Sequence, residues 1–239
     1  MMKPVVAFLV LAYVMPAYSI LRRVANHRDE LSTTQLKADG LAGVGPAIAR
    51  DAAQLLGTEW TSGELSLTAV TSVRFPGRCR VDLSSPDSTK VVSAVWANGK
   101  KRSEGGELPA LGVAVEVLCA TLALHSGAEG ESRAALERYL STLKVETKRV
   151  SFGRFSGAVA FVLGDDGAGK PQFWVYKDRF LPARVRTADG WDVRFVDYSS
   201  QATGDTWPRL VEVYQGTELQ LRLTVLTADT SATLDGVKF

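Results

Sequence analysis

The stretch from Gly164 to Pro171, GDDGAGKP, is one residue short of the phosphate-binding signature G-x-x-x-x-G-K-[ST]. In that signature a strand leads into a glycine-rich turn and a helix N-terminus, and a Ser or Thr hydroxyl reaches Mg²⁺. Here Pro171 stands at the hydroxyl position, and the residues after it, QFWVYKD, are aromatic and β-branched, which is typical of a strand. We therefore predict two strands joined by a Gly/Asp turn and no nucleotide site.

The sequence offers few other groups for catalysis or metal binding. His27 lies in a charged segment, where a solvated role is expected, and His125 ends an apolar segment, where a cation favours the helix dipole. The sequence motifs G-x-S-x-G, H-E-x-x-H and C-x-x-C do not occur. Asp165 and Asp166 are adjacent at a turn, where aspartate is an ordinary residue. We expect no enzymatic activity, no cofactor and no metal.

The first nineteen residues, MMKPVVAFLVLAYVMPAYS, have the pattern of a secretory signal peptide. Lys3 forms a short basic region, an apolar run extends from Val5 to Met15, and small residues precede a cleavage site after Ser19. A retained membrane anchor is the alternative, but the run is short for a bilayer span and Pro16 ends it. Because no Cys lies near the cleavage site, we predict no lipidation, and we expect a soluble periplasmic protein formed by residues 20–239 as one domain.

Size, charge and cysteine content limit the class of protein. The chain has 239 residues, of which 46% are hydrophobic, enough for one sizeable core. The formal net charge of +2 gives no indication of nucleic-acid binding. Cys79 and Cys119 could pair in an oxidising compartment, which would stabilise the chain by about 4 kcal/mol. They could equally be two thiols buried in apolar surroundings.

Four segments have the pattern of helices. Residues 20–32 and 131–144 are amphipathic, and Pro46–Leu56 begins with Pro and is followed by Gly57, although an ordered loop is an alternative there. The fourth segment, residues 109–125, is apolar almost all the way round. A helix without a polar face must be buried.

The remainder of the chain alternates with the period of two that is typical of strands. The alternation runs from Gly63 to the helical segment that begins at residue 109, and it resumes after residue 144. Within it, Asn98-Gly99 gives a strong hairpin signal. Such short strands separated by turns predict an antiparallel sheet with one wet face. The fold class is therefore mainly β (α+β). The helical segments do not alternate with the strands, which argues against a parallel α/β fold.

Aromatic residues are concentrated in the predicted strands. They either belong to an ordinary core under the helices, or they line an apolar hollow in a curved sheet that could hold an acyl chain. The sequence leaves both interpretations open. The residues are Trp96, Phe173, Trp174, Trp191, Phe195 and Trp207.

The order of these elements resembles the LolA/LolB-like outer-membrane lipoprotein-sorting carriers. The resemblance covers nearly all of residues 20–239, and it is carried by ILRRVANHRDEL, VRFPGRCRVDLSSPDSTKVVSAVWANGKK, the two central helices and WVYKDRFLPARVR. It implies a curved antiparallel sheet that forms an incomplete barrel, with helices covering the open side as a lid over an apolar cavity for acyl chains. In the family an Arg directly before the equivalent of Pro76 closes the lid. Here Arg74 lies one position earlier, which places it on the opposite face unless a bulge intervenes.

The resemblance implies a periplasmic carrier, a transport chaperone of outer-membrane biogenesis. Its partners would be an acylated lipoprotein or lipid, an inner-membrane release complex and an outer-membrane acceptor, with no nucleic acid. We expect the apolar helix to plug the hollow and an acyl chain to replace it, with Arg74 as the candidate latch. The alternative is a module of the same fold that senses the envelope or binds a protein without cargo, and a hydrolase lacks a recognisable nucleophile and base. The expected cavity and lid residues are Leu65, Leu67, Val73, Val81, Trp96, Val113, Val117, Leu118, Leu122, Trp174 and Trp191.

Overall fold

The computed structural model describes most of the chain beyond the first fourteen residues. The predicted signal peptide therefore lies largely outside the described part, as does His125, and the predicted cleavage after Ser19 falls inside the first helix. The described residues are 15–29, 34–124, 130–167, 169–198 and 207–239.

Within these residues the chain forms four helices and one twelve-stranded antiparallel sheet. The sheet order is β5-β4-β3-β2-β1-β12-β11-β10-β9-β8-β7-β6, so β5 and β6 are its two edges and the sheet is not closed. This confirms the mainly-β fold class and the incomplete barrel. The helices are α1 (Ala17–Asp29), α2 (Pro46–Leu56), α3 (Pro109–Leu122) and α4 (Glu131–Thr142). The strands are β1 (Gln35–Val44), β2 (Leu65–Arg74), β3 (Arg78–Ser84), β4 (Val91–Ala97), β5 (Lys100–Glu104), β6 (Val150–Phe155), β7 (Ala158–Gly164), β8 (Gln172–Tyr176), β9 (Pro182–Arg186), β10 (Trp191–Val196), β11 (Leu210–Gln215) and β12 (Glu218–Asp229).

Local sequence signals account for several of these boundaries. Pro46–Leu56 is a helix, which settles the alternative of an ordered loop, and Gly57 ends it with φ 66°, a left-handed conformation that glycine adopts without strain. Asn98 and Gly99 also have positive φ and form the predicted tight turn between β4 and β5. The stretch GDDGAGKP connects β7 to β8, so a strand follows it and not the helix that a phosphate-binding loop requires.

Helix α3 fills the hollow of the curved sheet. It contacts strands of both halves, β3 to β5 and β9 to β12, and its residues Leu111, Val115, Leu118 and Leu122 are at most 2% exposed. Thr121 is also buried, and its hydroxyl donates to the Val117 carbonyl at 2.7 Å, which satisfies it inside the helix. Because α3 is apolar on nearly every side, this central position is where its burial is greatest.

Helices α1 and α4 cover α3 on the side that the sheet leaves open. Helix α4 contacts α3, and α1 packs along α4. Ile20 and Val24 of α1 are buried, as are Leu136 and Leu140 of α4, so each helix turns an apolar stripe inward. The domain is therefore layered as sheet, α3, and the α1–α4 pair.

A disulfide ties α3 to the sheet. Cys79 of β3 is bonded to Cys119 of α3 with a Cα–Cα distance of 5.7 Å, so the two cysteines are paired and are not separate thiols. Four residues further along, the Ala123 carbonyl accepts a hydrogen bond from the Gly77 amide at 2.8 Å. The C-terminal end of α3 is thus held at the turn between β2 and β3 by one covalent and one hydrogen bond.

On the outer face of the sheet, Asp192 is the most enclosed charge of an ion-pair cluster. Arg184 and Arg194 both donate to its carboxylate, at 2.5 to 2.6 Å and 2.8 to 3.0 Å. Burial alone would raise the pKa of Asp192, but these hydrogen bonds and the two positive charges outweigh it and hold the pKa below its ordinary value. The carboxylate therefore stabilises the fold in its charged form.

Removing the disulfide should destabilise the domain without changing its fold. The bond closes a loop with a sequence separation of 40, for which chain entropy predicts a loss of about 4 kcal/mol. We expect urea unfolding of wild type to shift to lower urea under reducing conditions, and the Cys79→Ala/Cys119→Ala variant to match the reduced protein. Identical unfolding curves with and without reductant would contradict the tie.

Replacing Asp192 by Asn should weaken the fold in a pH-dependent manner. We expect a loss of about 2 kcal/mol at pH 7, because the charge-assisted hydrogen bonds from the two arginines are weakened. A carboxyl with a lowered folded pKa stabilises fully above its unfolded pKa of about 3.9, and the contribution is lost as the pH falls through the folded pKa. The wild-type and Asp192→Asn unfolding curves should therefore converge in acid. A difference that is the same at pH 7 and in acid would argue against a charge effect.

Candidate functional site

An open space lies between α3 and α4, on the side of α3 that faces away from the sheet centre. A wide cavity of about 670 Å³ and a narrow cavity of about 350 Å³ share Tyr139 and Thr142 of α4 in their lining. We refer to the two together as the α3–α4 groove. The volume of each cavity is within the range of about 300 to 1,000 Å³ that is typical of small-molecule sites.

The wide cavity is lined mostly by apolar groups. Small residues of both helices line it together with Trp96 of β4, and the polar part of the lining includes Asn98, Glu131 and Arg138. Because alanine side chains are short, the two helices leave room between them instead of filling it with interlocking side chains. The apolar residues of the lining are Pro76, Trp96, Ala120, Ala123, Leu124, Ala134 and Ala135.

The narrow cavity has an apolar interior and a polar rim. Val113, Val117 and Trp191 contribute apolar surface. Lys101 of β5 and Glu116 of α3 form an ion pair at the rim, with Nζ and Oε2 3.2 Å apart. The partly exposed positions of α3, including Glu116, thus face this groove, while the rest of α3 is in the core.

Tyr139 stands at the junction of the two cavities. Its side chain is 7% exposed, and its hydroxyl has no hydrogen-bond partner among the described residues. Burial raises the pKa of Tyr139 well above its ordinary value, and the negative charge of Glu116 adds to the effect. The phenol is therefore protonated at neutral pH and has a hydrogen to donate.

The structure divides the expected cavity residues into three groups. Leu65, Leu67, Val73 and Val81 of the inner sheet face are buried in one core with Leu118 and Leu122 of α3, so the helix occupies the hollow of the sheet. The physical reason is the apolar circumference of α3, which leaves the sheet hollow as the only place that covers all of it. The second group lines the α3–α4 groove and consists of Trp96, Val113, Val117 and Trp191.

Trp174 forms the third group and does not line the hollow. Its neighbours in β8, Phe173 and Val175, are fully buried on the inner face, and strand alternation therefore directs Trp174 outward. There its ring lies over Gly153 and 5.4 Å from the guanidinium carbon of Arg184. Assigning Trp174 to the cavity was wrong, because aromatic composition does not specify which face of a strand a residue takes.

Arg74 contacts the C-terminal segment of the chain, and α3 is held by other groups. Strand β2 pairs regularly with β1 and β3 as far as Arg74, so no bulge turns its side chain inward. Its guanidinium donates to the Leu234 carbonyl at 3.2 Å and lies 5.2 Å from the Phe239 ring centroid. Helix α3 is held instead by the Gly77 amide and by the disulfide of Cys79, which lie a few residues beyond Arg74.

The alanines and Tyr139 that line the groove were not predicted as site residues from the sequence. Ala134, Ala135 and Tyr139 read as parts of an amphipathic helix, and nothing in that pattern separates a core contact from a cavity wall. The one available signal was the pair of small residues in α4 opposite Ala120 and Ala123 of α3, since small residues on two facing helices reduce how well the helices fill their interface.

The described part of the chain has neither a metal-binding cluster nor a membrane-spanning helix. No cluster of three or more His, Cys, Asp or Glu side chains in that part could hold a metal ion. None of the helices described above has both the length and the apolar character that a membrane span requires.

Several solved structures are similar to this chain. A LolA superfamily protein from Nitrosomonas europaea has 10% identity and a TM-score of 0.46, and the match covers 93% of this chain and 96% of that one. A DUF1329 family protein from Desulfovibrio piger has 10% identity and a TM-score of 0.43, with 91% and 93% covered. The MucA/MucB complex of Pseudomonas aeruginosa has 14% identity and a TM-score of 0.31, with 93% and 60% covered. No family model and no curated protein matches the chain.

Replacing Arg74 by Ala should release the C-terminal segment and leave α3 in place. The variant loses one hydrogen bond and one cation–π contact, together about 1 kcal/mol. We expect faster hydrogen–deuterium exchange in residues 230–239 and unchanged exchange in residues 109–122. Faster exchange in α3 would restore Arg74 as a latch of the lid.

Proposed function

We propose that this protein binds an acyl chain of a lipoprotein or lipid in the α3–α4 groove and carries it across an oxidising compartment, without a chemical step. The observation that carries this proposal is the wide cavity of about 670 Å³ with a mostly apolar lining, placed between a fixed helix and a covering helix. An elongated apolar ligand fits such a space, because each buried CH₂ contributes about 0.8 kcal/mol.

The disulfide supports a location outside the cytoplasm. Cys79 and Cys119 are paired, and structural disulfides persist in oxidising compartments such as the bacterial periplasm. The signal-peptide pattern of residues 1–19 is consistent with the same location. We therefore propose that the carrier acts in the periplasm, where its cargo would be received from an inner-membrane release complex and passed to an outer-membrane acceptor.

The proposed opening motion involves the α1–α4 pair and not α3. Helix α3 is bonded to β3 through Cys119 and is buried on most sides, so its departure would break a covalent constraint and expose a large apolar surface. Helix α4 contacts α3 across the groove and has its main partner in α1. When the pair moves outward the groove widens, and an acyl chain can enter beside α3 without displacing it.

A protein-binding module without cargo is the second candidate. It is favoured by the filled hollow, because Leu118 and Leu122 already occupy the space that the resemblance assigns to acyl chains. Such a module would form a stable complex with an envelope protein and would bind little lipid. The two candidates differ in whether the α3–α4 groove takes up an acyl chain.

The test begins with native mass spectrometry of protein purified gently from the periplasm and then denatured. We expect acylated peptide, phospholipid or fatty acid to be released, and apo protein to regain mass on incubation with an acylated peptide. The Ala135→Glu variant should lose this binding by at least tenfold, since it places a carboxylate in the apolar lining. Ala47→Glu is the matched control, because Ala47 is exposed on α2 and remote from the groove.

Two outcomes would contradict this proposal, the first for the carrier role and the second for the location of the acyl site. Protein that carries no lipid when purified, and that shows no mass increase with acylated peptide, would favour the protein-binding module. Equal loss of binding in Ala135→Glu and Ala47→Glu would place the acyl site elsewhere than in the α3–α4 groove.

A further inference from the structure

We infer that Tyr139 is the carbonyl-recognition residue of the α3–α4 groove, where its hydroxyl donates a hydrogen bond to the neutral ester or amide carbonyl that links an acyl chain to its head group. This inference deepens the proposed function and rests on it. It assigns a chemical class to the cargo, namely an acyl chain joined through an uncharged carbonyl.

The Tyr139 hydroxyl differs from the hydroxyls of other enclosed tyrosines among the described residues. The buried Tyr198 donates to the Pro182 carbonyl at 2.8 Å, and the half-buried Tyr176 donates to the Phe195 carbonyl at 3.0 Å. Tyr139 is 7% exposed and has no such acceptor in the described part of the chain. Buried polar groups in native proteins are rarely left in this state, and a ligand acceptor is one way in which they are satisfied.

Two polar groups beside Tyr139 are already engaged. The Thr142 hydroxyl, which lines both cavities with Tyr139, donates to the Tyr139 carbonyl at 2.7 Å. The Glu116 carboxylate is paired with Lys101 at the rim of the narrow cavity. Among the buried side-chain polar atoms of the described residues, the Tyr139 hydroxyl is the one without a partner.

A neutral carbonyl and a free carboxylate differ in what they lose on entering the groove. Burial is the first cause of the raised pKa of Tyr139, and the nearby charge of Glu116 is the second, so the hydroxyl lies in surroundings that disfavour a negative charge. A free fatty-acid carboxylate at the Tyr139 hydroxyl would lose its hydration in a mostly apolar site. An ester or amide carbonyl accepts the same hydrogen bond without that penalty, and its chain extends along the alanines and Trp96 of the wide cavity.

The experiment compares wild type with Tyr139→Phe, using four probes with the same chain length. They are 1-palmitoyl glycerol, which carries an ester, N-palmitoyl glycinamide, which carries an amide, 1-O-hexadecyl glycerol, an ether without a carbonyl, and palmitate. Binding is measured by the change in tryptophan fluorescence, to which Trp96 in the groove wall contributes. We expect Tyr139→Phe to bind the ester and the amide about tenfold more weakly and the ether as well as wild type does. Wild type should bind palmitate more weakly than the ester.

Tyr176→Phe is the matched control for the loss of a tyrosine hydroxyl. Tyr176 is half-buried and bonded to Phe195, away from the groove, so its replacement should lower the thermal midpoint and leave binding of all four probes unchanged. Tyr139→Phe removes no hydrogen bond among the residues that the structure describes and should keep or raise the midpoint of the unliganded protein. A folded Tyr139→Phe protein therefore gives an interpretable binding result.

The outcomes distinguish failure of this inference from failure of the proposed function. If wild type binds the probes and Tyr139→Phe weakens the ether as much as the ester, or weakens neither, the role of Tyr139 is overturned while acyl binding stands. If wild type binds none of the probes, both proposals fail. A tenfold loss confined to carbonyl probes supports the inference, and the preferred probe identifies the source, the amide for N-acylated protein ends and the ester for acylglycerol groups.

Discussion

The absence of a polar face on α3 is the constraint on which the rest of the structure depends. A helix of fourteen residues with only Glu116 and Thr121 as polar exceptions has to be surrounded, and no single helix partner can do this. The sheet surrounds α3 with strands β3 to β5 and β9 to β12, and the α1–α4 pair covers the remaining side. The partly exposed stripe that contains Glu116 is what this arrangement leaves over, and the α3–α4 groove follows from it.

Much of the fold could be predicted from the sequence because its signals are local. Proline and glycine mark the ends of α2, Asn98 and Gly99 have the conformation that a two-residue hairpin needs, and strand alternation identifies Leu65, Leu67 and Val81 as inner-face residues. The prediction that GDDGAGKP is not a phosphate-binding loop also depended on local signals, because a strand and not a helix follows Pro171. Each of these inferences needed only a few neighbouring residues and a known backbone preference.

The candidate site was predicted less well because it depends on contacts between distant segments. Trp174 shows the difficulty: its strand was identified, but the face that it takes depends on which neighbours enter the core. The same holds for Arg74, whose partners Leu234 and Phe239 lie some 160 residues away in sequence. Whether a hollow is open or filled is a matter of volume, and a hydrophobic pattern describes only polarity. Trp96 and Trp191 lie near the ends of their strands, and both line the groove.

The bond between Cys79 and Cys119 also makes the last step of folding depend on the redox state of the surroundings. It joins segments 40 residues apart, and a strongly reducing environment does not permit it to form. A reduced chain therefore lacks a constraint that the oxidised protein has, and it unfolds with less resistance. Oxidation holds the central helix in place, so the fold is completed only where an oxidant is present.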